Sequence, residues 1–496
     1  MTRPLRRNDA FGKGSAGRWP AVFGVSPNTF RVTNPDRSMV FPATAPDDRR
    51  RDGDDRTRVA CAPQSTESFR LQVCLKSRGV AWSPPPKNDP SRDGENVQAA
   101  RTPVPLSVTK GLFKHTLIAA ALCACVLGAV GCASRSVTLK PLSRDDLETS
   151  IARGVDFLVT HQNKTGSWGS ARRTKELNIY APEPDSHEAF RAAVTAMCIE
   201  ALIETGAANT NAAARAALEK GEAWLLANLP NVRRSDPTCL YNIWTHAYGI
   251  SALAQMYRRS ASDPARQRQI KEMIEGQVKF LERFESVDGG WGYLDFKVQA
   301  QHPSTTSPCF VNATVLIALH DAREIGVAVP ERLVKRAIAS TQRQRKPDNT
   351  YLYSENFRWR TMHVVNRPPG SLGRSQVCNL ALRLWGDKTI TDAVLQEWLD
   401  RLIARNGWLS IGRKRPVPHE SWFKVAGYFY YYGHYYAALC ADQLDAARRR
   451  VAKDNIAAVL APLQEKDGSW WDYPLYDYHQ PYGTAFALMT LARARH

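Results

Sequence analysis

From Ser143 onward the chain alternates two kinds of hydrophobic pattern. Segments of the first kind carry one apolar stripe and a charged opposite face, as Leu147, Ile151, Val155 and Leu158 show in the first of them. This periodicity predicts amphipathic helices that cover a core. The predicted segments are 146–161, 212–227, 266–284, 330–345, 391–405 and 448–464.

Segments of the second kind are apolar nearly all round, which is typical of fully buried helices. They are predicted at 188–204, 239–258, 308–323, 374–386, 422–443 and 481–493. Because an inner and an outer helix recur together, each pair can bury its apolar side against its neighbours if the array closes on itself. The pattern therefore predicts an all-α, (α/α)6 toroid over residues 143–496, with six outer and six inner helices.

The connections between these helices differ strongly in length. Inner-to-outer links are short, whereas outer-to-inner links such as 162–186, 285–307 and 346–372 are long and rich in aromatic residues. All the long links should emerge at one end of the barrel. Since functional sites usually lie on loops held by a rigid scaffold, we expect the site at that end.

The first part of the chain has a different character. Residues 1–107 show no helix or strand period and are predicted to be disordered. Residues 108–132 combine basic residues, an apolar run and the sequence Gly131-Cys132-Ala133-Ser134, which is similar to a bacterial lipoprotein signal peptide ending at Cys132. Lipidation of Cys132, with 133–142 as a linker, would tether the toroid to a membrane in the cell envelope, facing the periplasm or exterior.

Such a signal works only near a translation start. We therefore expect the natural start near Val108, with the preceding residues an over-called start. The alternative is a transmembrane anchor that follows a true N-terminal tail. Either arrangement places the toroid outside the cytoplasm.

Charge and cysteine content change this interpretation little. The formal net charge is +19, but acidic residues are interleaved with the arginines of the tail, so no nucleic-acid partner is expected. The five cysteines of the toroid are far apart, lack a C-x-x-C pair and lie in apolar segments, so we interpret them as small core residues. They are Cys198, Cys239, Cys309, Cys378 and Cys440.

A short motif recurs where outer helices end. Two segments fit Q-x-x-x-G-x-W in full, a third has Glu285 in place of Gln, and Asn406-Gly407-Trp408 retains only a turn. Gly accepts the positive φ that ends a helix, and we expect the Trp to fold back over the Gln amide and fix the next link. The motif residues are Gln162, Gly166, Trp168, Gly289, Trp291, Gln464, Gly468 and Trp470.

These repeats resemble the QW repeats of squalene-hopene cyclases, and the segment 288–292 is similar to repeats of protein prenyltransferase β subunits. The resemblance covers roughly residues 143–496. It implies an α/α toroid with an apolar central cavity, and a ligand of isoprenoid or lipid type. It does not by itself imply an activity, because one fold hosts several chemistries.

The catalytic residues of that superfamily are not matched in the toroid. A cyclase needs an acid in a D-x-D-D motif, which here occurs only at 52–55, in the predicted disordered tail. A prenyltransferase needs a zinc set with Asp and Cys two residues apart, and Asp295 has no such Cys because Cys309 lies beyond a loop. No metal and no cofactor are predicted, and catalysis is left open.

Polar and aromatic residues near the predicted opening supply the candidate site. His246 and His434, on opposite inner helices, could face one ligand, although a histidine on an apolar helix is more often a hydrogen-bonded core residue. Carboxylates near histidines could serve as acid and base, which adds Asp295 and Glu420 as catalytic candidates. The candidates for binding an apolar or anionic small ligand are Trp244, Tyr248, His363, Arg358, Tyr432, Tyr435 and Asp477.

Three functions compete on this evidence. The leading one is a toroid that binds an apolar or amphipathic ligand. A carbohydrate-active enzyme, either a polysaccharide lyase or a glycosidase, would require a pair of carboxylates across the cleft. A protein-interaction scaffold would require a lumen filled by the tyrosine side chains.

Overall fold

A computed structural model describes residues 137–174, 185–295, 302–304, 306–419 and 424–495. The predictions for residues 1–107, for the signal segment 108–132 and for Cys132 lie outside the described residues. Within the described residues, no helix combines the length and hydropathy needed to cross a bilayer. The five toroid cysteines are all buried and unpaired, as predicted.

Twelve long helices form the described part of the chain, and they alternate as the sequence predicted. Odd-numbered helices are the outer ones and even-numbered helices the inner ones. The bounds are α1 Arg144–Thr160, α2 Asp185–Glu204, α3 Ala212–Asn228, α4 Asn242–Arg259, α5 Pro264–Arg283, α6 Cys309–Glu324, α7 Glu331–Arg343, α8 Pro368–Leu384, α9 Asp392–Ala404, α10 Tyr430–Asp442, α11 Ala446–Leu460 and α12 His479–Ala492.

The inner helices close into a ring. Each packs against the preceding and following inner helix, and α12 packs against both α10 and α2. Each outer helix packs on the inner helix that precedes it, and α1 packs on α12. The predicted (α/α)6 toroid is therefore confirmed, with the first outer helix covering the last inner one.

Burial follows the hydrophobic pattern. In α6 every residue from Cys309 to Leu319 is buried, because this helix has neighbours on all sides. In α7 the buried residues form one stripe that includes Leu333, Val334 and Ala337, while the opposite face carries an exposed Glu331–Lys335 ion pair. Apolar burial of this kind contributes about 25 cal/mol for each Å² removed from water.

Helix α8 begins six residues earlier than predicted, at Pro368 rather than 374. Proline has no backbone N–H, but the N–H groups in the first turn of a helix have no partner within the helix. The Pro368-Pro369 pair therefore starts this helix and does not break it. The first turns are further fixed by the buried Arg374, whose guanidinium donates to the carbonyls of Tyr351, Val365 and Gly370. Helix α10 begins at Tyr430, later than the predicted 422.

The long outer-to-inner links meet at one end of the barrel. Neighbouring links bond to one another: Leu240 N–H donates to the Tyr293 carbonyl at 2.9 Å, and Glu355 N–H to the Ser307 carbonyl at 3.2 Å. The ring of links closes where Ser170 donates to the Asp477 carboxylate at 2.8 Å. We call this end of the barrel the long-link end, and the opposite one the short-link end.

The glycines of the repeated motif take the predicted positive φ, whereas the packing of the tryptophan over the glutamine amide stays a prediction. Gly166 has a φ of +100°, and a methyl group there would collide with the carbonyl of Lys220 on α3. The buried indole N–H of Trp168 donates to the Leu158 carbonyl in the last turn of its own outer helix, at 2.7 Å. Trp291 and Trp470 make the same bond to Leu281 and Leu460.

The glutamine reaches farther than the sequence suggested. Gln162 Nε2 donates both to the Gly166 carbonyl and to the Ala217 carbonyl of the next outer helix, at 2.8 and 2.7 Å. Gln464 bonds in the same way to Ser150 on α1. The motif thus links consecutive outer helices, as well as linking each helix to its loop.

The prediction of a fourth, partial copy of the motif at Asn406-Gly407-Trp408 is wrong. Asn406, Gly407 and Trp408 lie in a short helix, Asn406–Ser410, and Trp408 is 39% exposed. A copy that the sequence analysis missed lies at the end of α7. There Arg345, Asn349 and Tyr351 take the places of Gln, Gly and Trp: Asn349 has a φ of +58°, and Tyr351 is fully buried.

Candidate functional site at two ends of the barrel

An apolar cavity of about 210 Å³ lies in the lumen at the long-link end. We call it the aromatic cavity. Its walls are formed mainly by residues in the N-terminal halves of inner helices, such as Phe190, Trp244 and Phe310, with Tyr293 and Tyr473 contributed by the long links. Among the described residues, no carboxylate and no cationic side chain lines it.

Tyrosine hydroxyls form a hydrogen-bonded roof over this cavity. The Tyr293 and Tyr353 hydroxyls lie 3.0 Å apart, and those of Tyr353 and Tyr428 lie 3.2 Å apart. His419 Nε2 lies 3.1 Å from the Tyr428 hydroxyl, and burial lowers the pKa of this imidazole to about 4. The ring is therefore neutral at pH 7: Nδ1–H donates to the Lys424 carbonyl, and Nε2 accepts from Tyr428.

A buried carboxyl group lies directly behind the cavity wall. Asp472 accepts hydrogen bonds from the hydroxyl of Tyr482, which lines the cavity, and from Tyr431 N–H. Burial raises the pKa of Asp472 to about 7. Asp472 does not itself line the cavity, and the Tyr482 phenol connects the two.

The structure places three of the predicted binding residues in the wall of the aromatic cavity: Trp244, Tyr248 and Tyr432. The Tyr432 hydroxyl bonds to Thr314 at 2.9 Å and to the Phe310 carbonyl at 3.1 Å, so its ring is fixed in the lumen. Tyr435, the fourth predicted aromatic residue, lies in a second cavity farther along the axis.

The two histidines do not face a common ligand, contrary to the expectation. His246 points outward to α5, where Nδ1 lies 2.7 Å from Gln277 Oε1 and the ring stacks on Phe280. His434 bonds to the Tyr430 carbonyl and to Asn406, both at 2.7 Å. Burial lowers the pKa of each to about 4, so both are neutral core histidines.

The predicted polar residues of the rim are held in ion pairs and caps. Asp295 is buried and pairs with Arg234 at 3.2 Å, Arg358 pairs with Glu355 at 2.9 Å, and Asp477 pairs with Arg172 at 2.7 Å. His363 is exposed and caps a short 3-10 turn that begins at Val364. None of the four lines the aromatic cavity, and Glu420 lies outside the described residues.

A second cavity, of about 280 Å³, lies at the short-link end, opposite to where we expected the site. We call it the acidic chamber. All six inner helices contribute to it through their C-terminal halves. Its carboxylates are Glu200, Glu204, Asp321, Glu324 and Asp442, and the basic groups that line it are Arg258, His320 and Arg493.

A layer of aromatic rings separates the two cavities. Phe486 lies at its centre, with ring centroids 6.1 Å from Tyr248, 6.0 Å from Tyr432 and 5.4 Å from Tyr435. Tyr248 lines both cavities. The lumen is thus divided into an aromatic half and an acidic half.

Three of the acidic groups of the chamber have raised pKa values. Burial, and then the nearby Glu204 and Asp321, raise the pKa of Glu200 well above its ordinary value. Burial raises the pKa of Asp321 to about 6, although Ser251 donates a 2.8 Å hydrogen bond to it. Burial also raises the pKa of Glu204, against the opposing effect of Arg493. Perturbed acids in a cavity are a physical indication of a functional site.

The sequence carries a signal for this chamber in the positions of two acidic residues. Glu200 directly follows the largely apolar run 192–199 of α2 and is buried, and Asp321 lies two residues beyond the buried run 309–319 of α6. Carboxylates are rarely buried without a reason. The roof tyrosines Tyr293 and Tyr353 had only the aromatic richness of the long links as a signal. The role of Arg374 could not be read from the sequence.

No family model matches the chain, and no curated protein matches it in sequence. Several solved structures have a similar fold. The type II terpene cyclase MstE from Scytonema is 15% identical, with a TM-score of 0.41 over 71% of this chain and 99% of that chain. The GH76A α-1,6-mannanase from Salegentibacter is 11% identical, with a TM-score of 0.43 over 70% of this chain and 98% of the mannanase.

A protein from Actinoplanes is 14% identical, with a TM-score of 0.43 over 71% of this chain and 100% of that chain. At such identities the likeness concerns the fold alone. The closed double ring of inner and outer helices itself defines the chain as an α/α toroid.

Proposed function

We propose that this protein is an exported lipoprotein whose toroid binds an apolar or amphipathic ligand of isoprenoid or lipid type in the aromatic cavity. The observation that supports it is the wall of that cavity, whose polar groups are mainly tyrosine hydroxyls. An apolar chain gains free energy by leaving water for such a wall, and a hydroxyl or carbonyl head could bond to the roof tyrosines.

Filling the cavity tests this binding without removing a wall residue. Ala193 lines the cavity on α2, and Ala193→Phe would occupy part of its volume. The matched control is Ala152→Phe, at an exposed position of α1. Geranylgeraniol and palmitic acid serve as probes, and the signal is intrinsic tryptophan fluorescence, to which Trp244 in the cavity wall contributes. We expect the wild type and Ala152→Phe to bind at least one probe.

Ala193→Phe should weaken that binding by about tenfold or more, since overfilled sites lose both volume and fit. Unchanged affinity of a folded Ala193→Phe variant would place the ligand elsewhere. We also expect His246→Ala and His434→Ala to leave binding unchanged, because both rings face away from the cavity.

Membrane attachment at Cys132 is a separate part of the proposal. It is supported by the lipobox-like sequence around that residue. Intact-mass analysis of protein extracted from membranes should show a mature chain that begins at Cys132 and carries acyl groups. A Cys132→Ala variant should stay uncleaved or appear in the soluble envelope fraction, and an unmodified wild-type chain would contradict the assignment.

The alternatives receive less support from the geometry. A scaffold with a plugged lumen is disfavoured by the open volume of the aromatic cavity. A carbohydrate-active enzyme at the long-link end lacks its pair of carboxylates, since among the described residues none lines that cavity. Incubation with acidic polysaccharides and measurement of new reducing or unsaturated ends tests this alternative directly.

A further inference from the structure

The acidic chamber contains more carboxylates than cations. Glu204 and Asp442 are paired with Arg493, both at 2.8 Å, and Lys453 approaches the other oxygen of Asp442. Glu204 also accepts from Gln255 at 3.1 Å. These contacts form a wall whose charges are largely compensated.

Glu200 is different. It is only 4% exposed, it lines the chamber, and among the described residues no hydrogen-bond donor contacts its carboxyl group. One turn farther along the same helix, α2, Glu204 Oε2 is buried without a donor. Buried carboxyl oxygens that lack partners are costly, and natural proteins usually satisfy them. Glu204 Oε2 therefore lacks a donor from the described chain, and the Glu200 carboxyl group faces the chamber without one.

The remaining walls fit an organic cation. The rings of Tyr248, Tyr435 and Tyr436 line the chamber beside Glu200, and Asp321 lies on α6. Aromatic faces and carboxylates together are the surroundings in which a quaternary or primary ammonium group binds well. Among the described residues, no set of three His, Cys, Asp or Glu side chains could hold a metal ion.

The opening of the chamber carries three further charged or titratable groups. Glu324 is exposed and lies 3.8 Å from His320, whose pKa is lowered by burial. Arg258 lies at the C-terminal end of α4 and is exposed. One exposed guanidinium does not balance Glu200, Asp321 and Glu324, so the chamber has an excess of negative charge when these acids are ionised.

We propose that the acidic chamber is a second binding site, distinct from the aromatic cavity, which takes a small organic cation with an ammonium group held by Glu200 and Asp321 against Tyr248, Tyr435 and Tyr436. Its volume of about 280 Å³ exceeds many times the ~10–15 Å³ that one water molecule requires. A neutral ligand of the same shape would not compensate these carboxyl groups when they are ionised, so we expect the site to select for positive charge.

Choline and its uncharged isostere 3,3-dimethylbutan-1-ol test this selection. By isothermal titration calorimetry of the full chain, choline should bind and the isostere should not. Glu200→Gln and Asp321→Asn should each weaken choline binding by about tenfold or more, because each removes a desolvated charge partner. Asp156→Asn, which removes an exposed carboxylate on the outer helix α1, should change nothing.

The release of protons on choline binding provides a second readout. A bound cation favours ionised carboxyl groups, so Glu200 and Asp321 should release protons on binding, and choline affinity should rise as the pH increases through about 6. The calorimetric enthalpy should then depend on the ionisation enthalpy of the buffer. This dependence should be smaller in Glu200→Gln, whose circular dichroism and thermal unfolding show whether it is folded.

Three binding results would overturn the proposal: equal binding of the isostere, undiminished choline affinity in a folded Glu200→Gln variant, or displacement of choline by CaCl₂ at equal ionic strength. Release of reducing ends from a polysaccharide that is lost in Glu200→Gln would also overturn it, in favour of glycoside hydrolysis. None of these results depends on the aromatic cavity, where Ala193→Phe provides a separate test.

Discussion

The two ends of the barrel are built from the same twelve helices but from different chemistry. At the long-link end, buried tryptophans, positive-φ glycines and interlocked loops surround an aromatic cavity. At the short-link end, few loop residues are available, and the inner helices themselves supply carboxylates and arginines. The first end carries the bonds that join the helices to the long links, whereas the second carries a buried carboxyl group, Glu200, inside a cavity.

The largest expected effect tests how much the long-link end stabilises the fold. Trp291→Ala removes a fully buried indole together with its hydrogen bond to Leu281, and should destabilise the protein by about 3–5 kcal/mol. Trp408→Ala, at the exposed position where no motif forms, should cost less than about 1 kcal/mol. Urea unfolding of both variants measures the difference, and equal losses would refute the structural role given to the motif.

Two glycine substitutions, with smaller expected effects on stability that are opposite in sign, also test the structural role of the motif. Gly166→Ala should destabilise by about 2–4 kcal/mol, because an L residue is strained at a φ of +100° and its methyl group meets Lys220. Gly407→Ala lies in a short helix with open space around it and should stabilise by up to about 1 kcal/mol. Thermal unfolding distinguishes them, and a neutral Gly166→Ala would show that the close approach of α3 is not rigid.

The third effect concerns pH at the long-link end. The pKa of Asp472 is raised to about 7 in the folded chain, so the folded state binds a proton that the unfolded state has lost, and stability falls as the pH rises from about 4 to 7. Asp472→Asn should reduce this fall by about 1–3 kcal/mol, with Asp156→Asn as the exposed control. Urea unfolding at pH 4 and pH 8 gives both values, and parallel curves for wild type and Asp472→Asn would contradict the assignment.

The smallest expected effect tests whether the buried acid of the chamber lowers the free energy of unfolding. At pH 8, Glu200→Gln should stabilise the ligand-free protein by on the order of 1 kcal/mol, since it removes a buried acid that lacks a donor. At pH 4 the wild-type carboxyl is already protonated, and the difference should disappear. Stability lost at both pH values would instead show that Glu200 is a structural residue.

Much of the fold could be predicted from the sequence, because the signals for it are periodic and local. The alternation of striped and fully apolar helices predicted the ring. A glycine and a tryptophan eight and ten residues beyond a leucine in the last turn of an outer helix identified the cap of that helix. The fourth copy failed because Asn406-Gly407-Trp408 has the residues of a turn but continues as a helix. The copy at Arg345, Asn349 and Tyr351 was missed because all three motif residues are replaced.

The site was predicted only in part, for a physical reason. The apolar inner helices and aromatic links predicted an apolar lumen at the long-link end, and Trp244, Tyr248 and Tyr432 do line the cavity there. A helix that is apolar all round, however, carries no information on which of its faces meets the lumen and which meets the outer ring. Only the tertiary structure decided that His246 and His434 point outward to Gln277 and Asn406, while Glu200 and Asp321 point inward.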